Sequence, residues 1–141
     1  MADTIIVGYD GTEGADAALD EALHLAVGLG GDLLVVFAYK KVVSGGESAD
    51  LDRQVGEMAT GTLAKAVDRA SAAGITARTA FIEGTPADVL CDLGESEDAR
   101  YIVVGSYGER PLRGALVGAT PYKLVHLSSR PVVVVRAPEP S

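Results

Sequence analysis

Between residues 105 and 120 the chain reads GSYGERPLRGALVGAT, with glycines at 105, 108, 114 and 118 and hydroxyls at Ser106 and Thr120. Glycine has no Cβ, so a backbone of this kind can approach an anion closely and turn its N–H groups inward. One reading of the stretch is therefore a phosphate cradle; the other is a mobile connection. The helix start that follows, Thr120-Pro121, adds a dipole that favours negative charge. The Thr120 hydroxyl either caps that helix or donates to a phosphate oxygen. Arg110 and Arg113 lie in the same loop, where solvation is the simpler reading for each. A second candidate is the turn Gly8-Tyr9-Asp10-Gly11-Thr12, which places a carboxylate just after an apolar run. An Asp-Gly pair also shapes turns with no ligand present.

Other chemistries are poorly supplied. No G-x-x-x-x-G-K-[ST] occurs, and the first turn lacks G-x-G-x-x-G, so a P-loop and a dinucleotide fingerprint are both missing. His24 falls on the polar face of a helix, and His126 has no carboxylate at helical spacing. Cys91 has no basic neighbour to lower its pKa, which points to packing rather than reactivity. Without a paired histidine and nucleophile, hydrolase chemistry has no visible apparatus. The acidic run from Glu95 to Asp98 reads as the solvated end of a helix.

These residues need a frame to hold them. Five short apolar runs alternate with helical stretches: 4–8, 33–38, 76–82, 101–104 and 131–135. Strands that are apolar on both faces imply a parallel sheet covered by crossover helices, a doubly wound α/β fold. The run at 76–82 alternates, which suits a strand nearer an edge. The helices between them are expected over 13–29, with Ala18, Ala22, Leu25, Ala26 and Leu29 inward, and over 48–73, with Leu51, Val55, Met58, Thr62, Ala66 and Ala70 inward. Gly28, Gly30 and Gly31 end the first and Gly74 ends the second. A third helix opens at Thr85-Pro86, with Val89, Leu90 and Leu93 inward, and a fourth at Thr120-Pro121, with Leu124, Val125 and Leu127 inward. In such a sheet a ligand sits beyond the carboxyl ends of the strands, which is where Asp10 and Gly105 both fall.

Composition sets outer bounds. The chain has 141 residues, 48% of them apolar, and 12 basic against 20 acidic residues for a net charge of −8. One domain over 1–137 with a loose tail at 138–141 is expected. The negative charge argues against nucleic acid and anionic lipid as partners. One cysteine excludes an internal disulfide, which suits the cytoplasm, and neither a leader peptide nor a membrane span is visible.

Several stretches together resemble the universal stress proteins, a family of small adenine-nucleotide-binding α/β domains. Val7-Gly8-Tyr9-Asp10-Gly11-Thr12 is similar to the family's V-x-x-D-G-S turn, and Gly84-Thr85-Pro86-Ala87 to its third-helix entry. Residues 130–135, RPVVVV, resemble its C-P-V-x-V-V strand, with Arg130 in the cysteine's place. The loop resembles the family's G-x2-G-x9-G-[ST], through Gly105, Gly108 and Gly118, but Ala119 stands where Ser or Thr is usual and Thr120 comes one place late. The resemblance covers nearly the whole chain. It implies a five-stranded, Rossmann-like sheet in the order 3-2-1-4-5 with helices on both faces. It implies ATP, AMP or cyclic AMP as ligand, with Mg²⁺ carried on the phosphates. Gly8, Tyr9 and Asp10 would meet the adenine or ribose, Ala38 would offer main-chain groups to the purine edge, and Gly105, Gly108, Gly118, Ala119 and Thr120 would hold phosphate. A homodimer through residues 131–136 and a cytoplasmic stress or regulatory role, with at most weak ATP hydrolysis, are also implied. The rivals are a nucleotide-free dimeric interaction module, in which Ala119 marks a lost site, and an adenylyl-transferring enzyme, for which the chain leaves little room.

Overall fold

The computed structural model describes residues 3–40, 48–106 and 119–137. Expectations for Gly108, Arg110, Arg113, Gly114, Gly118 and the 138–141 tail lie outside them. The elements run β1 (Thr4–Gly8), α1 (Glu13–Leu29), β2 (Asp32–Tyr39), α2 (Ser48–Ala72), β3 (Ala77–Glu83), α3 (Pro86–Ser96), β4 (Tyr101–Gly105), α4 (Ala119–Leu127) and β5 (Val132–Val135). The five strands form one sheet in the order β3-β2-β1-β4-β5, and every pairing is parallel. The expected doubly wound arrangement is the observed one.

The strand sequences explain the layering. Ile5 and Val7 of β1 point to one face and Ile6 to the other, and all three are fully buried. The first face packs on α1 and α2 through Leu19, Ala22, Leu63 and Ala66; the second packs on α3 and α4 through Leu90 and Leu124. Burial of both faces is why these strands carry no polar alternation. β3 does alternate in exposure, and it lies at one edge; β5 is half-buried along its length and lies at the other.

Helix ends follow local chemistry. Thr12 caps α1 by accepting from the Ala15 N–H at 3.3 Å. At the other end only Gly30 takes the left-handed conformation, at φ 64°, so of the three glycines expected to stop α1 it is the one that turns the chain. Gly74, at φ 75°, follows the end of α2 as expected. Pro86 is the first residue of α3, while the Thr85 hydroxyl occupies the cap position without making the cap bond.

Several inward stripes differ from expectation. In α1 Leu29 is exposed, and the buried positions include Ala15, Leu19 and Leu23 as well as Ala18, Ala22 and Ala26. In α2 the buried stripe is Ala59, Leu63, Ala66 and Ala70, one residue out of phase with the expected Met58 and Thr62, and Met58 is exposed. Alanines at 59 and 66 let the helix lie close to the sheet, which a methionine there would prevent. In α4 Leu124 and Pro121 are buried, whereas Val125 and Leu127 face solvent. The acidic run after α3 is also more than solvated surface. Glu97 pairs with Arg78 at 3.2 Å and Asp98 with Arg130 at 2.6 Å, so it ties β3 and the entry to β5 to one helix end.

Candidate functional site

β1 and β4 are neighbours, registered Ile5 to Tyr101 through Val7 to Val103. The connections leaving their carboxyl ends go to helices on opposite faces, which opens a crevice between them. A cleft lies there. Gly8, Tyr9, Asp10, Ala38, Gly105 and Thr120 of the expected set border it. Ala119 is exposed at the first position of α4 and does not border it.

The two strand-end glycines do different work. A Cβ on Gly8 would come within 3.2 Å of Leu90 and 3.4 Å of Val104, both cleft residues, so the missing side chain keeps the floor open. A Cβ on Gly105 would fall 2.7 Å from the Gly14 carbonyl oxygen, a main-chain atom that cannot swing aside. Here glycine permits direct contact between the end of β4 and the first turn of α1.

The first turn is held by its own side chains. Asp10 Oδ1 accepts from the Thr12 N–H at 3.1 Å and from the Thr12 hydroxyl at 2.7 Å. The turn-shaping reading of Asp10 is thus realised, and its Oδ2 has no hydrogen bond among the described residues. Tyr9 is anchored in the opposite sense. Its N–H donates to Val36 at 2.8 Å, and its ring packs into the α1–α2 core with 5% exposure. Its hydroxyl donates to Asp16 at 2.5 Å, and Arg69 of α2 donates to both Asp16 and Asp20 of α1. Burial, then the hydrogen bond and charge of Asp16, push the Tyr9 phenol up to about 12, against a smaller opposing effect of Arg69.

On the far wall α4 begins at Ala119, so Thr120 sits inside its first turn rather than at the cap. Its hydroxyl is not the helix cap, and the residue borders the cleft. The Ser106 N–H donates to the Val135 carbonyl at 2.8 Å, and its hydroxyl, 1% exposed, has no partner among the described residues.

Sequence reasoning missed the apolar part of the wall. Val36, Pro86, Leu90, Val104 and Pro121 border the cleft. Their only signal was position: each lies at a strand's carboxyl end or in the first turns of α3 and α4. An apolar wall facing a carboxylate, a hydroxyl and a glycine-lined floor suits a flat aromatic group with a polar tail.

Among the described residues the remaining titratable groups do not converge on the cleft. His24 and His126 are exposed, the latter edge-on to Tyr122 at 4.7 Å. Burial, then the charges of Asp88, Asp92 and Glu95, push the Cys91 thiol up. Among the described residues no group of three His, Cys, Asp or Glu side chains is placed to hold a metal ion, and no helix is long and apolar enough to cross a membrane.

Comparison with known proteins gives three findings. The model of the Universal stress protein family matches residues 1–136. The universal stress protein Rv1636 of Mycobacterium tuberculosis is 30% identical over 139 residues, covering 94% of each chain. Among solved structures, the protein MJ0577 superposes with a TM-score of 0.88 at 20% identity over 99% of each chain. A universal stress protein solved in complex with cAMP superposes with a TM-score of 0.72 at 27% identity, covering 97% of this chain and 98% of that one.

Proposed function

Because the chain belongs to the universal stress protein family, we propose that its cleft holds an adenine nucleotide and that occupancy, rather than turnover, is its contribution to a cytoplasmic stress response. The observation that carries this reading is the cleft where β1 and β4 diverge, with glycine at both strand ends and Asp10 beside it. The relative solved with cAMP supports the ligand class.

In this reading the purine lies between the Gly8–Asp10 turn and the end of β2 at Ala38, over the apolar wall. The free Oδ2 of Asp10 accepts from ribose hydroxyls. The phosphates run toward Gly105 and Thr120, where the first turn of α4 presents main-chain donors, with Gly108 and Gly118 completing the loop. Thr120 supplies the hydroxyl that Ala119 lacks. ATP with Mg²⁺ held through its phosphates is the expected ligand, and AMP and cyclic AMP are the alternatives. A homodimer through residues 131–136 completes the assembly.

A thermal-shift titration with ATP, AMP and cAMP, with and without Mg²⁺, tests the reading. A ligand at a hundred times its Kd stabilises the fold by about 2.7 kcal/mol, a shift of several degrees. No shift with any of the three would favour the second reading, which Ala119 itself recommends: a nucleotide-free dimeric interaction module. Mass spectrometry of small molecules released from freshly purified, denatured protein identifies the nucleotide directly.

A further inference from the structure

The edge of the sheet at β3 is open in two ways at once. Among the described residues β3 pairs only with β2, which leaves one side of its backbone without a partner there. The bonds at its two ends, Leu33 N–H to the Thr76 carbonyl at 3.0 Å and Gly84 N–H to the Tyr39 carbonyl at 2.7 Å, fix which groups face β2. Strand alternation then turns the N–H and C=O of Ala77, Thr79, Phe81 and Glu83 outward. Thr79 and Phe81 also line a groove against α2, whose side of it is formed by Leu63, Ala64, Val67 and Asp68 with Thr60. Phe81 is 39% exposed in this groove. Phe81 is nonetheless fixed, stacked on Tyr39 at 4.4 Å and edge-on to Phe37 at 5.7 Å.

Charge selects what can lie there. Asp68 on the groove and Glu83 at the end of β3 are exposed and carry no ion pair among the described residues. The cation of β3, Arg78, is engaged by Glu97. We infer that this edge accepts an extended segment of another protein, alternating apolar and basic residues, as a sixth strand of the sheet. Its main chain bonds the outward groups of Thr79 and Phe81, one apolar side chain rests on Phe81 beneath α2, and its cations meet Asp68 and Glu83. A second copy of this chain fits poorly, because it would bring its own Asp68 and Glu83 to the contact. This surface is separate from the nucleotide cleft, and its test does not depend on that reading.

The probe is a fluorescein-labelled peptide of alternating valine and lysine, seven residues long to match β3, compared with an alternating valine–glutamate peptide by fluorescence anisotropy on the whole protein. The lysine peptide is expected to bind at least about fivefold more tightly, as two surface ion pairs allow. The exposed pair of changes Asp68→Lys and Glu83→Lys should reverse that preference. Thr79→Pro removes an outward N–H and none facing β2, so the fold should survive by circular dichroism while binding of the lysine peptide falls about tenfold. Should Thr79→Pro fail to fold, amide hydrogen exchange at Thr79 and Phe81 in the native protein decides, and protection on peptide addition is expected. The inference is overturned by equal binding of both peptides, by no binding at millimolar peptide, by unchanged binding in folded Thr79→Pro, or by no protection of those amides. It is equally overturned if the protein alone forms a dimer that Thr79→Pro dissociates.

Discussion

Three residues around the cleft make opposite demands on a substitution. Gly105 meets main chain, so Gly105→Ala must displace the first turn of α1, at an expected cost of about 1–3 kcal/mol by chemical denaturation. Gly8 meets only the side chains of Leu90 and Val104. Gly8→Ala should therefore cost less than Gly105→Ala, on the order of 1 kcal/mol, while narrowing the cleft floor, so nucleotide affinity in calorimetry should fall more than stability does. Tyr9 sets a pH limit. Its phenol is raised from 10.0 to about 12, so the folded state prefers the neutral form more strongly than the unfolded chain does. The stability this supplies is complete below about pH 10 and is lost as pH rises through about 12. Denaturation of Tyr9→Phe should show a shallower decline than the native protein between those values, and an identical decline would rule out the buried Tyr9 phenol as its source.

Elements were legible where burial leaves a compositional trace, and illegible where it does not. β1, β2 and β4 are apolar on both faces, which only a covered parallel sheet requires, so their existence and class could be read directly. The phase of α2 could not. Alanine contributes little hydrophobic contrast, so a stripe of Met58 and Thr62 reads as well as the observed Ala59 and Leu63. In α4, nine residues long, apolar side chains occur all round, and only the sheet decides that Leu124 goes in while Val125 stays out. The apolar wall of the cleft was hidden for a related reason: Leu90 and Val104 look like core residues, and they are both core and wall. The β5 edge carries its own prediction. The bonds Ile102 N–H to Pro131 and Ser106 N–H to Val135 turn the main-chain groups of Val132 and Val134 outward. Val134→Pro should keep the β4–β5 ladder yet block pairing between copies. Sedimentation velocity should then show a dimer for the native protein and a monomer for the variant; a dimer that persists would move the interface elsewhere.

For the molecule as a whole, a net charge of −8 opposes the approach of the proposed anionic ligand. Raising ionic strength from about 0.01 to 0.15 M shortens the screening length from about 30 to 8 Å. Association of a Mg²⁺-free ATP analogue, followed by stopped flow, should therefore speed up by about two- to threefold. Slowing instead would mean that cations of the chain, rather than its net charge, dominate the encounter. The contact between Gly105 and Gly14, together with the Ser106 bond to Val135, pins the root of the glycine-rich segment from two sides. Whatever sequence is spliced between 106 and 119 thus departs from the same anchored point. The scaffold is a ready host for exchanged loops, and chimaeras cut at those two positions would separate what the segment recognises from what the frame supports.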